Sequence, residues 1–222
     1  MNNTININQW YGLFGNNLMQ LAGSIFYAKC CEGKTLIHLP KNGFFNIDSK
    51  IEVEKEFDYD VKVPTSLQWT THNYYNSISN YIDRDSYSKF LKENIISIYK
   101  KEIYDILDRS FNFDQYKHLN LDDTLAIHFR SGDAISQNAH PAYVQSPWSY
   151  FEKILKETKP KKVIICTGFG YYNSNVNPCY NKIIEFCNDN QIEVDSRMKS
   201  LPEDVYILSH SKQVVIGGVS TF

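Results

Sequence analysis

Between Leu125 and Ile216, short apolar runs alternate with stretches in which apolar residues recur every three or four positions. Leu125 to Phe129, Lys162 to Cys166, Ile192 to Val194 and Gln213 to Ile216 read as strands. The patterns from Pro147 to Thr158, Cys179 to Asp189 and Pro202 to Ser211 read as helices. Unbroken apolar runs mark strands covered on both faces, so this alternation predicts a parallel sheet with helices on its faces. Right-handed crossovers then bring the carboxyl end of every strand, and the loop after it, to one edge.

The first half is less regular. Ile5-Asn6-Ile7-Asn8 alternates as a strand does, and Gly12-Leu13-Phe14-Gly15-Asn16 leads into a helix over Asn17 to Cys31. Gly33 reads as its stop and Thr35 to Leu39 as the next strand. From Lys41 to Asn80 the chain is aromatic and polar without a sustained period. Helical spacing returns from Ser86 to Asp108 through Phe90, Leu91, Ile95, Ile98, Ile103 and Leu107. That pattern gives way to Asn, Asp, Lys and His between Ser110 and Asp123, which divides the chain into lobes 1–115 and 116–222.

With 222 residues, folding buries roughly 70% of the unfolded surface, so neither a metal nor a disulfide is needed as a staple. The net charge of −2 and the dispersed Lys and Arg give no footprint for nucleic acid. Cys30, Cys31, Cys166, Cys179 and Cys187 form no CxxC pair. Buried thiols in a reducing compartment are the expectation, with a metal site or a disulfide framework as the alternatives. The segment after Met1 has neither a basic nor an apolar leader character, and no run approaches a membrane span. The expectation is a soluble, cytoplasmic protein, with oligomerisation left open.

The densest chemistry is Leu125-Ala126-Ile127-His128-Phe129-Arg130-Ser131-Gly132-Asp133. A buried strand there delivers polar groups to the ligand-binding edge. Arg130 carries a permanent charge and a planar donor fork suited to phosphate; the alternative is an ion pair with Asp133. His128 shares Arg130's face by the two-residue strand period. It can donate to phosphate, act in acid–base chemistry or satisfy a backbone carbonyl. Gly132 permits close backbone approach, and Asp133 either meets a ligand or shapes the turn. After the last strand, Gly217 and Gly218 allow an anion-holding nest, and Ser220 and Thr221 add donors. The Gly12–Asn17 loop opens a helix whose amino end favours anions, although Asn16 or Asn17 serves equally well as a helix cap. No G-x-S-x-G elbow points to a serine hydrolase. Together these features suit an anionic ligand, best a nucleotide-sugar diphosphate.

Three segments in order resemble one superfamily: Gly12-Leu13-Phe14-Gly15-Asn16-Asn17-Leu18-Met19-Gln20, then His128-Phe129-Arg130-Ser131-Gly132-Asp133, then Glu203-Asp204 running on to Ser220-Thr221-Phe222. They are similar to the GxGNxLxQ-like start, the HxRxGD motif and the S-[ST]-F motif of the α1,2/α1,6/protein-O-fucosyltransferase group. His140 to Pro147 and Asn177-Pro178 are similar to uncharacterised members of that group. The resemblance implies an α/β, GT-B-like chain of two Rossmann-like lobes, with a parallel sheet in the shorter C-terminal lobe. It implies an inverting, metal-independent glycosyltransferase moving fucose from GDP-fucose to a glycan hydroxyl. A different nucleotide sugar, or a non-catalytic nucleotide or glycan binder on the same fold, are the alternatives. Arg130 and Asn16 would be catalytic, with Arg130 on the β-phosphate. His128, Gly132, Asp133, Ser220, Thr221 and Phe222 would line the donor, while Gly15 and Asn16 would face the acceptor.

The chain departs from that pattern twice. Where many relatives have an acidic pair after the strand matching Val163 to Cys166, it has Thr167-Gly168-Phe169-Gly170-Tyr171-Tyr172, whose aromatics could stack on a base. Relatives also continue past the S-[ST]-F motif into a closing helix, whereas the given sequence stops at Phe222. The expectation is a site completed by an oligomer or a further segment, or else a weak enzyme.

Overall fold

A computed structural model describes residues 3–10, 12, 14–41, 44–57, 66–69 (backbone only), 93–94, 96–131, 135, 145–167 and 177–217. The chain groups into two compact units, Met1–Asn112 and Phe113–Ser220.

In the first unit the strands are β1 (Asn3–Ile7), β2 (Lys34–His38), β3 (Lys50–Glu54) and β4 (Ser66–Trp69), in the order β3-β2-β1-β4. β1 is parallel to both β2 and β4, while β3 returns antiparallel to β2. This sheet is therefore mixed, with a hairpin return where a fully parallel Rossmann-like lobe would cross over. Helix α1 (Phe14–Cys30) buries Leu21, Ala22, Ile25, Phe26 and Ala28, and the facing sheet buries Ile5, Ile7 and Ile37. The helix starts three residues before the expected Asn17. Trp10, Phe14, Phe44, Phe45 and Phe111 form an aromatic cluster around that start. Lys29, in the last turn of α1, is buried; it pairs with Glu56, and with Glu102 at 2.7 Å. Burial disfavours its charge, but bonds to Glu102 and Glu56 outweigh that and hold its pKa above the usual lysine value.

Glu102 lies in a π-helical stretch, Tyr99–Ile103, that continues into α2 (Tyr104–Phe111). The sequence pattern faded at Asp108. The helix continues until Asn112, whose φ of 51° is left-handed and whose N–H bonds the Asp108 carbonyl at 2.8 Å. The expected helical residues 86–92 and 95 lie outside the described residues.

The second unit follows the expected alternation closely. After a 3₁₀ turn (Phe113–Tyr116) come β5 (Thr124–Phe129), α3 (Trp148–Thr158), β6 (Lys162–Cys166), α4 (Pro178–Asp189), β7 (Glu193–Asp195), α5 (Leu201–His210) and β8 (Gln213–Gly217). All four strands are parallel, in the order β7-β6-β5-β8. Leu125, Ile127 and Phe129 of β5 pack with Val163, Ile165 and Val215 beneath Phe151 and Leu155 of α3 and Tyr180, Ile183 and Cys187 of α4. Ala126 points to the opposite face, where α5 crosses β5. Two caps set helix starts: Asn177 with Pro178 for α4, and Ser200, which accepts from the Glu203 amide at 3.3 Å, for α5.

Candidate functional site

The strand order decides where ligand chemistry can collect. Counting strands from β5, the second sheet reads 3-2-1-4. The order of strand addition therefore reverses between β5 and β8, and the crevice of such a sheet opens at their carboxyl ends. Arg130 follows β5 directly, and residues 218–222 follow β8. The first sheet repeats the 3-2-1-4 order, and there the loop after β1 runs through Gly12 into α1.

His128 is half-buried on the face shared with Ala126, and Arg130, half-buried too, continues that face past the strand. Burial first, and the Arg130 guanidinium second, push the His128 pKa down to about 4. At neutral pH the imidazole is uncharged, with one N–H to give and one lone pair to accept. The site thus pairs one permanent cation with one neutral donor, an arrangement suited to diphosphate oxygens.

The backbone that carries Arg130 is fixed on both sides. Phe129 is fully buried, with ring centroids 5.7 Å from Phe151 and 5.6 Å from Tyr180. Ser131 is 3% exposed, and its hydroxyl accepts from Asn177 Nδ2 at 3.2 Å. The Gln145 amide lies 2.6 Å from the Arg130 carbonyl oxygen and 3.3 Å from Asn177 Nδ2. One amide end cannot serve both. With Nε2 donating to Arg130 and Oε1 accepting from the Ser146 amide at 3.3 Å, both ends of Gln145 are paired.

Further along the same carboxyl edge, Lys199 has a fully buried side chain. Its ammonium donates to the Arg197 carbonyl at 2.9 Å, the Ile165 carbonyl at 3.3 Å and Asp195 Oδ1 at 3.3 Å. Asp204, in the first turn of α5, is 2% exposed beside Cys166, whose thiol is pushed up by burial and then by that carboxylate. The Cys30 and Cys187 thiols are pushed up by burial to about 12 and about 11, so at neutral pH they remain protonated, apolar packing groups. Among the described residues no cluster of three His, Cys, Asp or Glu could hold a metal ion, and no helix is long and apolar enough to cross a membrane.

The sequence-derived residues divide as follows. His128 and Arg130 are brought to one face of one strand end. Gly132, Asp133, Ser220, Thr221 and Phe222 lie outside the described residues, as does Gly218. Gly217 ends β8, where a Cβ would stand 2.7 Å from Phe151 Cζ, so packing by itself calls for a glycine there. Gly15 is buried inside α1, and Asn16 is the third residue of that helix, which rules it out as the cap. The Asn16 amide folds back over Gly12, whose φ is +66° and whose missing Cβ would meet Asn16 Nδ2 at 2.1 Å. Ser131, Gln145 and Asp204 entered the sequence reading only as members of longer motifs, with no role of their own, and Lys199 did not enter it.

No protein-family model matches the chain, and no curated protein matches it significantly. Among solved structures it is similar to a crystal structure of POFUT1 in complex with GDP, at 13% identity and a TM-score of 0.46, over 99% of this chain and 92% of that one. A crystal structure of POFUT1 in complex with GDP-fucose is similar at 12% identity and a TM-score of 0.48, again over 99% of this chain and 92% of that one.

Proposed function

We propose that this chain is a glycosyltransferase that moves fucose from GDP-fucose to a glycan hydroxyl, with inversion and without a metal ion. The observation that carries the reading is Arg130, leaving the central strand β5 where the strand order reverses beside β8. The His128–Asp133 and Ser220–Phe222 motifs, which resemble those of fucosyltransferases, support the donor assignment.

On this reading the acceptor hydroxyl attacks the anomeric carbon from the face opposite GDP, and its proton is released to the surrounding water as the new C–O bond forms. The bond from that carbon to the β-phosphate oxygen breaks, and its electron pair leaves with GDP. Negative charge grows on the departing phosphate, so a fixed guanidinium stabilises the transition state more than the ground state. Neutral His128 adds an N–H to the same phosphate without competing for a proton. Gly132, Asp133, Ser220, Thr221 and Phe222 join the donor side on sequence alone, and Gly15 and Asn16 the acceptor side.

The test is a transfer assay from GDP-fucose to a glycan panel with wild type and Arg130→Ala. The reading expects the variant to remain folded and lose about 10²–10³ in kcat, as other oriented donors do when removed. Near-normal transfer by the variant would overturn it. Nucleotide binding without turnover of any donor would instead favour a non-catalytic binder on the same fold.

A further inference from the structure

We infer that Asn177 is a positioning residue for Arg130, one amide that ties the start of α4 to the peptide immediately after the guanidinium-bearing residue. The inference rests on the donor-site reading of Arg130.

Asn177 is 1% exposed, and both ends of its side chain are in use. Oδ1 accepts from the Cys179 amide at 3.0 Å and caps α4. Nδ2 donates to Ser131 Oγ at 3.2 Å, forty-six residues away in sequence. A cap needs only the oxygen, and Ser, Thr or Asp would serve as well. The nitrogen end has no capping work to do, and it reaches across to the β5 loop. Helix α4 is in turn locked to the sheet through Tyr180 and Ile183, and Tyr180 packs on Phe129. Arg130 is thus flanked by Phe129, held through Tyr180, and by Ser131, held through Asn177, while Gln145 holds its carbonyl. Arg130 itself is half-buried.

A long charged side chain loses much of its electrostatic advantage if its backbone wanders, because fixed donors stabilise charge without reorganising during the reaction. Support from residues beyond the ligand contact is what supplies that fixity. Asn177 does not touch the donor on this account; it acts through Ser131.

Asn177→Ser separates the two roles, since serine keeps the helix cap and is too short to reach Ser131. The tryptic cleavage rate at the Arg130–Ser131 bond, relative to other cut sites, reads the clamp directly, and GDP affinity reads its consequence. The expectation for Asn177→Ser is a melting temperature lower by only a few degrees (about 2–4 °C per kcal/mol lost), cleavage faster by about tenfold and GDP affinity weaker by about tenfold, the scale of one buried hydrogen bond. Ser131→Ala, which leaves the cap intact, should reproduce the faster cleavage. Unchanged cleavage in both variants overturns the clamp. Faster cleavage with unchanged GDP affinity overturns the positioning role and leaves a structural bond. GDP binding that is indifferent to Arg130→Ala overturns the donor-site reading instead, while cleavage still decides the clamp.

Discussion

Two side chains at the end of β5 divide the electrostatic work between them. Arg130 stays charged at any working pH, and burial with the neighbouring guanidinium keeps His128 neutral, with a pKa pushed down to about 4. Replacing Arg130 by Lys should therefore rescue little of the transfer lost in Arg130→Ala. An ammonium restores the charge but lacks the bidentate fork, and steady-state kinetics on the pair of variants would reveal any rescue. His128 has a consequence for stability. Its ordinary value is near 6.5, so between pH 6.5 and 4 the unfolded chain binds a proton that the folded one refuses. The stabilisation from keeping it neutral is complete above pH 6.5 and is lost as pH falls through that window. Thermal melts should show His128→Gln with a shallower acid decline than wild type; parallel curves would contradict the buried-neutral assignment. This pair was legible in sequence because both residues sit on one parity of an apolar run. Lys199 and Asp204 were not, since a Lys or Asp in a polar stretch reads as solvated until tertiary structure supplies its partners.

At the scale of elements, legibility followed burial. β5 and β6 are covered on both faces and carry unbroken apolar runs, so they agree with their sequence patterns to within a residue; β8 agrees as well, although Val214 and Ile216 leave one of its faces exposed. β3 was missed although Lys50-Ile51-Glu52-Val53-Glu54 alternates cleanly, because it is a short edge strand inside an irregular aromatic segment. The start of α1 was missed because Phe14 and Gly15 read as loop. They become helical where Gly12 turns with positive φ and the aromatic cluster packs against Phe14. Gly217 was singled out for its loop, and packing against Phe151 adds a second reason for glycine there. Gly217→Ala forces a methyl group into Phe151 and should destabilise the fold by about 1–3 kcal/mol, the usual cost of overpacking. Chemical denaturation measures this, and a neutral result would mean that β8 and α3 can separate at no cost. Gly12→Ala should also destabilise, since it combines a strained φ with a clash against the Asn16 amide.

Across the whole molecule, two units share a 3-2-1-4 strand order, and in each the loop after the first strand carries a motif that stood out in the sequence. The common logic is that a parallel core gathers loop chemistry at its carboxyl edge, and the reversal of strand order opens a crevice there. The parallel sheet of the second unit and the position of Arg130 at its edge follow from patterning alone. The supporting network of Asn177, Ser131 and Gln145 does not, because its members are scattered through the chain and meet only after α4 docks on β5. The account's central claim is that the Arg130 edge binds a nucleoside diphosphate. Calorimetric titration of GDP, with UDP as the comparison, into wild type and Arg130→Ala tests it most directly. The account predicts GDP binding that exceeds UDP binding and is lost in the variant; binding of equal strength in both proteins would contradict it.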